Sequence, residues 1–597
     1  MPRLTEGRGF ETAELTLVFI CAAFCTLRPS LGGWMLLVAL LPLIVRLVTR
    51  SQVFPSTPLD FFIFALMGFA FLGVWIAYNP RAALAKFWLI VWSVYLFYVL
   101  ARLKSWSLWR AVAFLSAFGA FIGLFFLLTH DWAAQPADLW AINRLATTWM
   151  ALRPRLAISG LHPNQVGGLL AILAPFTLAL VIQSRRERDI AMLAYSLTSG
   201  LFILAGLFFS SSRAAWAALM AGLALWGLWG VGGWLSRKLR IHPLLMPAAG
   251  AAIAVALALG LVALQPGGVT AIVNRLPGPD SSLSRMEIYR NTSGLIGDFL
   301  FTGGGLAAFP GLYSQYIMLV PVYLFGYAHQ LYLDLALELS VPGLSAFVCI
   351  LMVSFWLILR RGRHRLLLGS ALASLLVISL HGLVDDPLLG EAGTPLLLFL
   401  PGMAVAIDQS VSDRGVVAAW AGRGTNGLWG WVAFASFVLI YYPATFILTR
   451  GAAWYANLGA LNMAGVELRD FPSGQWNRSE NMPALAPAQA YIERALELAP
   501  QNFTAHYRLG LIDYLRRDFS AAAHHLEQAR LLRPLHRGVR KALGYTLVWL
   551  EQYAQARQLL QPIPEARSEM EVYAWWWSAQ VRSDLSEHAN RMAEILK

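Results

Sequence analysis

Long apolar runs, most of them 18 residues or more, recur along the first three quarters of the chain and alternate with short polar loops. Each run is long enough to cross a hydrocarbon core of about 30 Å as an α-helix. A helix is required because a segment in lipid has to satisfy its own backbone hydrogen bonds. The pattern predicts about thirteen membrane-spanning helices. The predicted bounds are 13–30, 32–49, 58–78, 83–101, 109–129, 164–183, 190–209, 213–235, 245–264, 339–359, 366–384, 394–410 and 428–449.

Basic residues cluster in alternate loops between these predicted helices. The clusters lie at 46–50, 102–110, 185–188, 237–240 and 360–365. The positive-inside rule places such clusters on the cytoplasmic side, which predicts a cytoplasmic N-terminus. Three larger segments are then expected outside the cytoplasm: residues 130–163, the long loop 265–338 and the whole chain after the last span.

From about residue 450 the composition becomes that of a soluble protein, and a period of 34 residues appears. The positions in phase are Ala488, Ala522 and Ala556, Ala495 and Ala529, Pro500 and Pro534, Gly510 and Gly544, and Phe519 and Tyr553. Small residues at this period let paired helices pack closely, and the pattern resembles the tetratricopeptide repeat. We therefore predict a membrane domain at 1–450, a linker at 451–484 and an extracytoplasmic α-solenoid at 485–597. An unrelated helical hairpin is the alternative for this last region.

Charge and composition argue against a soluble protein, a nucleic-acid-binding protein and a metalloprotein. Only 13% of residues are charged, against about 25% in soluble proteins. The formal net charge of +13 is explained by the loop clusters, so nucleic-acid binding is not predicted. The three cysteines, Cys21, Cys25 and Cys349, lie in apolar runs without metal-ligand spacing. No metal and no cofactor are expected.

Charged residues at the edge of a membrane bundle need a reason because they are costly there. Arg213 follows three serines at the start of a predicted helix, where a guanidinium can bind a phosphate. Arg285 lies in a predicted amphipathic helix of the long loop. Arg290, five residues later, is turned roughly 140° from Arg285 on a helix. The alternatives are contact with lipid headgroups for Arg213 and with solvent for Arg285 and Arg290.

His329 stands just before a predicted helix on the same outer side. The unperturbed pKa of histidine lies nearest to physiological pH, which suits a general base, although a lone histidine is often structural. His381, Asp385 and Asp386 match no zinc spacing. Further polar residues that could line a substrate chamber are Asn164, Tyr332, Glu338, His381 and Asp385.

Four segments, taken in order, resemble the O-antigen ligase superfamily, which includes Wzy-type polymerases and protein O-oligosaccharyltransferases. They are "HPNQVGG", "SSRAAW" with Arg213, "GDFLFTGGGLAAF" after Arg285, and "HQLYLDLALELS" beginning at His329. The resemblance spans roughly residues 60 to 405. Gln330 stands where the family usually has Asn, and Ser340 stands where it usually has Gly. These departures bear on which acceptor molecule is used more than on the fold.

The resemblance implies an all-α bundle related to the GT-C class, in the inner membrane of a bacterium. It implies an inverting transfer from an undecaprenyl-diphosphate-linked glycan to a hydroxyl of a lipid, protein or glycan acceptor. Arg213 and Arg285 would neutralise the leaving diphosphate, with Arg290 as a further contact, and His329 would be the base. Neither nucleotide nor metal is implied.

Two other functions stay open from the sequence. A transporter or flippase of lipid-linked oligosaccharides would share basic residues in a cavity but predicts inverted internal repeats, which are not evident here. A membrane scaffold would use the repeat region to hold a protein partner, and leaves the polar residues at the helix ends without a role.

Overall fold

The computed structural model describes residues 7–49, 54–137, 139–154, 160–239, 245–264, 279–359, 365–390, 392–410, 428–469, 471 and 482–597. The regular elements in these ranges are helices. The α-helices are α1 (Arg8–Leu27), α2 (Gly32–Ala39), α3 (Leu41–Val48), α4 (Asp60–Ile76), α5 (Pro80–Ala101), α6 (Leu108–Thr129), α7 (Trp140–Leu152), α8 (Pro163–Glu187), α9 (Ile190–Phe209), α10 (Arg213–Leu239), α11 (Leu245–Leu264), α12 (Pro279–Ile296), α13 (Phe309–Tyr313), α14 (Leu331–Leu359), α15 (Arg365–His381), α16 (Phe399–Ser410), α17 (Leu428–Leu448), α18 (Ala452–Glu467), α19 (Ala486–Leu498), α20 (Phe503–Leu515), α21 (Phe519–Leu532), α22 (Arg537–Trp549), α23 (Tyr553–Leu560), α24 (Ala566–Ala579) and α25 (Ser583–Ile595).

Eight helical segments in the described ranges are long and apolar enough to cross a membrane, and α4, α15 and α17 contain shorter apolar segments. Each of the thirteen predicted spans falls on one of these or on α11 or α16. The prediction of a polytopic, all-helical membrane protein is confirmed, while the number of crossings stays a prediction. The bundle brings α14 against α4 and places α15 between α8 and α10. This packing sets the N-terminal ends of α8, α10 and α14 beside the C-terminal end of α15.

Helix α14 begins at Leu331, eight residues before the predicted start at 339, so His329 stands immediately ahead of it. It kinks at Ser340, whose φ of 68° is in the left-handed region. The triple glycine 303–305 packs on this kink. A Cβ at Gly303 would lie 2.7 Å from the carbonyl oxygen of Glu338, and the Gly304 N–H donates to the Leu337 carbonyl at 2.7 Å. The glycines therefore permit close approach to a helix backbone.

The C-terminal helices pack in successive pairs: α18 with α19, α20 with α21, α22 with α23, and α24 with α25. The segment 451–484, predicted as a linker, contains helix α18 at Ala452–Glu467, and the division into domains stays a prediction. Ala456, Ala460 and Ala464 recur every fourth residue and are buried, which gives this helix a smooth apolar face for α19. The assignment of the later helices to the tetratricopeptide type stays a prediction.

A buried ion pair joins the C-terminal helices to the loop that follows α12. Asp298 accepts hydrogen bonds from Arg508 Nη2 and Thr504 Oγ1, each at 2.7 Å. The guanidinium of Arg508 also lies 3.4 Å from the ring centroid of Tyr316, and the Tyr507 hydroxyl donates to the Tyr316 carbonyl at 2.6 Å. Removing one partner of such a pair costs about 3–5 kcal/mol, so these helices are firmly docked on the loop.

Glu467, the last residue of α18, accepts the Tyr316 hydroxyl in the same interface at 2.7 Å. Gln315 Nε2 donates to the same carboxylate oxygen at 3.4 Å. Complete burial raises the pKa of Glu467 from 4.5 to about 7, and the hydrogen bond from Tyr316 and the charge of Arg508 only partly offset this. The folded protein therefore binds this proton more tightly than the unfolded chain.

The raised pKa of Glu467 predicts how the stability of the folded protein depends on pH. The stabilisation from protonated Glu467 is complete below pH 4.5 and is lost as the pH rises through about 7. We expect the melting temperature of the detergent-solubilised protein to fall between about pH 5 and 8, and Glu467→Gln to weaken that fall. Glu497→Gln, at an exposed carboxylate, is the matched control. A Glu467→Gln protein that keeps the full pH dependence contradicts the prediction.

Candidate functional site

His329 is held in a strained turn at the start of α14. Its backbone φ is 53°, a left-handed conformation that costs a non-glycine residue about 1–2 kcal/mol. The Tyr289 hydroxyl donates to its carbonyl oxygen at 2.8 Å. Asp334, in the first turn of α14, accepts the Ala328 N–H at 2.8 Å and fixes the preceding residue. The imidazole packs against Tyr327 with ring centroids 4.3 Å apart, so both backbone and ring are positioned.

Asp385 faces the same imidazole from the loop after α15. Its Oδ1 lies 3.5 Å from His329 Nδ1, and its Oδ2 accepts from Arg285 Nη2 at 3.4 Å. Burial alone would raise the pKa of Asp385, but its contact with His329 and the charges of His329 and Arg285 lower that pKa to about 2. A buried and ionised carboxylate therefore stands between an imidazole and a guanidinium. We call His329, Asp385 and Arg285 the Asp385 cluster.

Arg285 reaches the cluster from α12, which lies in the long loop. The sequence pattern predicts a helix at this place. Arg285 is half-buried, and its Nη1 donates to the Val384 carbonyl at 3.3 Å. The Tyr289 hydroxyl, one helical turn later, lies 2.9 Å from that carbonyl oxygen and 2.8 Å from the His329 carbonyl oxygen, so its single hydrogen is shared between the two. Arg290 on the same helix is exposed, and its charge lies near the Tyr313 hydroxyl. The structure thus brings Arg285, and not Arg290, into contact with the cluster.

Arg213 is the first residue of α10 and is half-buried at this same end of the bundle. The serines before it are buried against α8, where a Cβ at Gly167 would lie 2.6 Å from Ser212 Cβ. On the next residue of α8, a Cβ at Gly168 would lie 2.8 Å from His381 Cε1. Helix α8 is therefore the shared neighbour of the Arg213 segment and of the loop that carries Asp385. Direct contact between Arg213 and the Asp385 cluster stays a prediction.

A cavity of about 660 Å³ opens beside the cluster. Its wall includes Tyr327, whose ring packs against that of His329, together with His162 just before α8 and Gln165 in its first turn. It also includes an ion pair that the sequence did not predict, in which Lys86 Nζ of α5 lies 2.7 Å from a carboxylate oxygen of Glu338. Glu338 lines this cavity while paired with a lysine, and its contact with a substrate stays a prediction.

Other predicted lining residues have different surroundings. Tyr332 donates its hydroxyl to the Ser379 carbonyl at 3.1 Å, which ties α14 to α15. His381 is buried, and neither ring nitrogen has a hydrogen-bond partner among the described residues. Asn164 is half-buried at the second position of α8, where no side-chain cap was found. Asp386, next to the cluster, accepts the Leu389 N–H at 2.7 Å, and burial raises its pKa to about 6.

The Lys86–Glu338 pair allows a prediction about the bundle. Both side chains are buried, so removing the ammonium takes away the positive charge that balances a buried carboxylate. We expect Lys86→Met to destabilise the protein by about 3–5 kcal/mol, and Lys86→Met/Glu338→Gln to recover most of that loss. Melting temperatures in detergent report both, with Arg81→Met on the exposed face of α5 as the control. Equal stability of wild type and Lys86→Met would show that the pair carries no such energy.

A comparison with known families matches part of this region. Residues 198–348 match the O-antigen ligase family model, a range of about a quarter of the chain that contains Arg213, Arg285 and His329. No curated protein matches the chain. The family match and the apolar helices together support a multi-pass membrane protein of the O-antigen ligase superfamily that transfers glycans.

Proposed function

We propose that the chain transfers a glycan from an undecaprenyl-diphosphate-linked donor to an acceptor hydroxyl at the outer face of the bacterial inner membrane. The single observation that carries this proposal is the meeting of Arg285 and His329 on Asp385, since the three residues come from three separate segments. A base beside a phosphate-binding guanidinium is the pair of groups that this reaction requires. The acceptor is a lipid, a protein or another glycan.

His329 acts as the general base in this reaction. Its Nδ1 faces Asp385, which leaves Nε2 to take the proton from the acceptor hydroxyl. The acceptor oxygen forms a bond to the anomeric carbon while the bond from that carbon to the phosphate oxygen breaks, so the configuration inverts. The proton stays on the imidazole, and the ionised Asp385 stabilises the imidazolium.

The diphosphate leaves with negative charge that must be balanced in a site of low polarity. Arg285 supplies a guanidinium next to the base, and its side chain is half-buried, where such a charge acts strongly. Arg213 adds a second guanidinium at the first turn of α10, whose N-terminal amides also favour an anion. Arg290 is a peripheral contact. Arginine provides the positive charge here, so the proposed reaction uses neither nucleotide nor metal.

The cavity beside the cluster is the proposed chamber for the reacting sugar. Its wall combines ring faces with Gln165, Glu338 and Lys86, which offer hydrogen bonds to hydroxyl groups. We place the N-terminus in the cytoplasm, so that the chamber opens outside it. The C-terminal helices, as tetratricopeptide repeats on the outer side, would present a surface to a partner.

Loss of the base tests the chemistry. We expect His329→Ala to lower kcat by about 10²–10⁴-fold while donor binding is kept, because only proton transfer is lost. The assay supplies purified protein with labelled lipid-diphosphate glycan and candidate acceptors. His524→Ala, at an exposed histidine of α21, is the matched control. Undiminished transfer by His329→Ala would refute the role of the imidazole.

Arg285 and Arg290 lie on one helix, so a comparison of their variants tests which arginine balances the charge of the leaving diphosphate. We expect Arg285→Ala to lower kcat by about 10²–10³-fold, since a group that stabilises the leaving diphosphate is removed. Arg285→Lys should recover part of the rate through its charge. Arg290→Ala, about 7.5 Å further along the same helix and at an exposed side chain, should lose less than about ten-fold. Equal losses in the two alanine variants, at unchanged melting temperatures, would contradict the assignment.

A further inference from the structure

A second groove, of about 590 Å³, lies away from the Asp385 cluster, between residues 319–322 of the long loop and helices α20 and α24. Three consecutive tryptophans of α24, Trp575, Trp576 and Trp577, contribute to its wall. The side chain of Trp575 is 71% exposed. A large indole left in contact with water on a helix that buries its other face marks a surface that is available for binding.

Polar groups border these rings. The Arg517 guanidinium lies 5.1 Å from the ring centroid of Trp577. On the same wall, Glu569 accepts from Lys541 Nζ at 2.7 Å and from the Tyr545 hydroxyl. The groove therefore offers flat apolar faces together with one cationic and one anionic group. The apolar C–H face of a pyranose stacks on such rings, and its hydroxyls need donors and acceptors at the rim.

One stretch of chain connects this groove to the catalytic chamber. Leu319 to Val322 line the groove, and the next five residues, Tyr323 to Tyr327, line the cavity beside His329. Eight residue steps separate Leu319 from Tyr327, so the two sites are at most about 29 Å apart along this segment. An extended molecule of that length can therefore contact both sites at once.

We propose that this groove is a subsite for a glycan chain and binds sugars remote from the reacting end. The proposal rests on the proposed function in one respect, since the catalytic chamber is taken to hold the reacting sugar of the same chain. Glu569 is paired with Lys541, and Arg517 is the other charged residue of the wall, so the groove has no patch of like charges. This suits a chain of hydroxyls better than a polyanion or a charged peptide. Selectivity for long glycans is the expected result.

Binding is tested without turnover. The probe is the multi-repeat glycan that mild acid releases from the undecaprenyl diphosphate of the source cell, added to the full-length protein in detergent. We expect wild type and His329→Ala to bind it equally, and Trp575→Ala to bind at least about ten-fold more weakly, a typical loss for an exposed aromatic anchor. Leu535→Ala, at a similarly exposed apolar residue outside the groove, is the matched control. Unchanged affinity in Trp575→Ala overturns the proposal.

A second arm compares donors that carry one repeat unit with donors that carry many. Trp575→Ala should raise KM for the long donor and leave kcat and KM for the short donor unchanged. Equal effects on both donors overturn the subsite, and so does preferential binding of an apolar peptide in place of the glycan. If wild type transfers neither donor, the proposed function fails, while the binding experiment still decides the subsite.

Discussion

A buried, ionised carboxylate is the constraint on which the candidate site depends. Asp385 is almost fully enclosed, and an isolated charge there would be too costly to keep. Burial raises its pKa, and the nearby His329 and Arg285 outweigh that effect and lower the pKa to about 2. Because the charge must be matched from both sides, the long loop and the start of α14 are drawn to the same point. One loop residue thus contacts side chains from two other, distant segments.

The surrounding structure keeps that arrangement in place. Tyr289 holds the strained backbone of His329, and Asp334 fixes the residue before it. Behind them, the triple glycine 303–305 packs on the kink at Ser340, which anchors the long loop against α14. The buried pair of Asp298 and Arg508 then docks the C-terminal helices on that loop. The C-terminal region is therefore packed against the loop that directly follows the helix carrying Arg285.

Hydropathy predicted the membrane helices well, because period and length of apolar runs are local properties of the sequence. The order of the motifs predicted that Arg213, Arg285 and His329 share one site, and the structure brings Arg285 and His329 to the same carboxylate. The partner of each charge was not predictable: Lys86 faces Glu338 across the bundle, and Asp385 links the two predicted residues, contacts that depend on tertiary packing. Lys86 was nonetheless visible as a lone charge in an apolar run, which is a signal of function or pairing. The helix at 452–467 was not predicted, although the alanines at every fourth position are a signal for it.

The coupling between Asp385 and His329 is tested most directly by a double-mutant cycle on kcat/KM, with His329→Ala, Asp385→Asn and the two together. If Asp385 acts through the imidazole, the double variant should be no more than about ten-fold slower than His329→Ala alone, because the carboxylate has lost the group that it orients. Losses that multiply fully would mean that the two residues work independently, and would contradict the central role given to this contact.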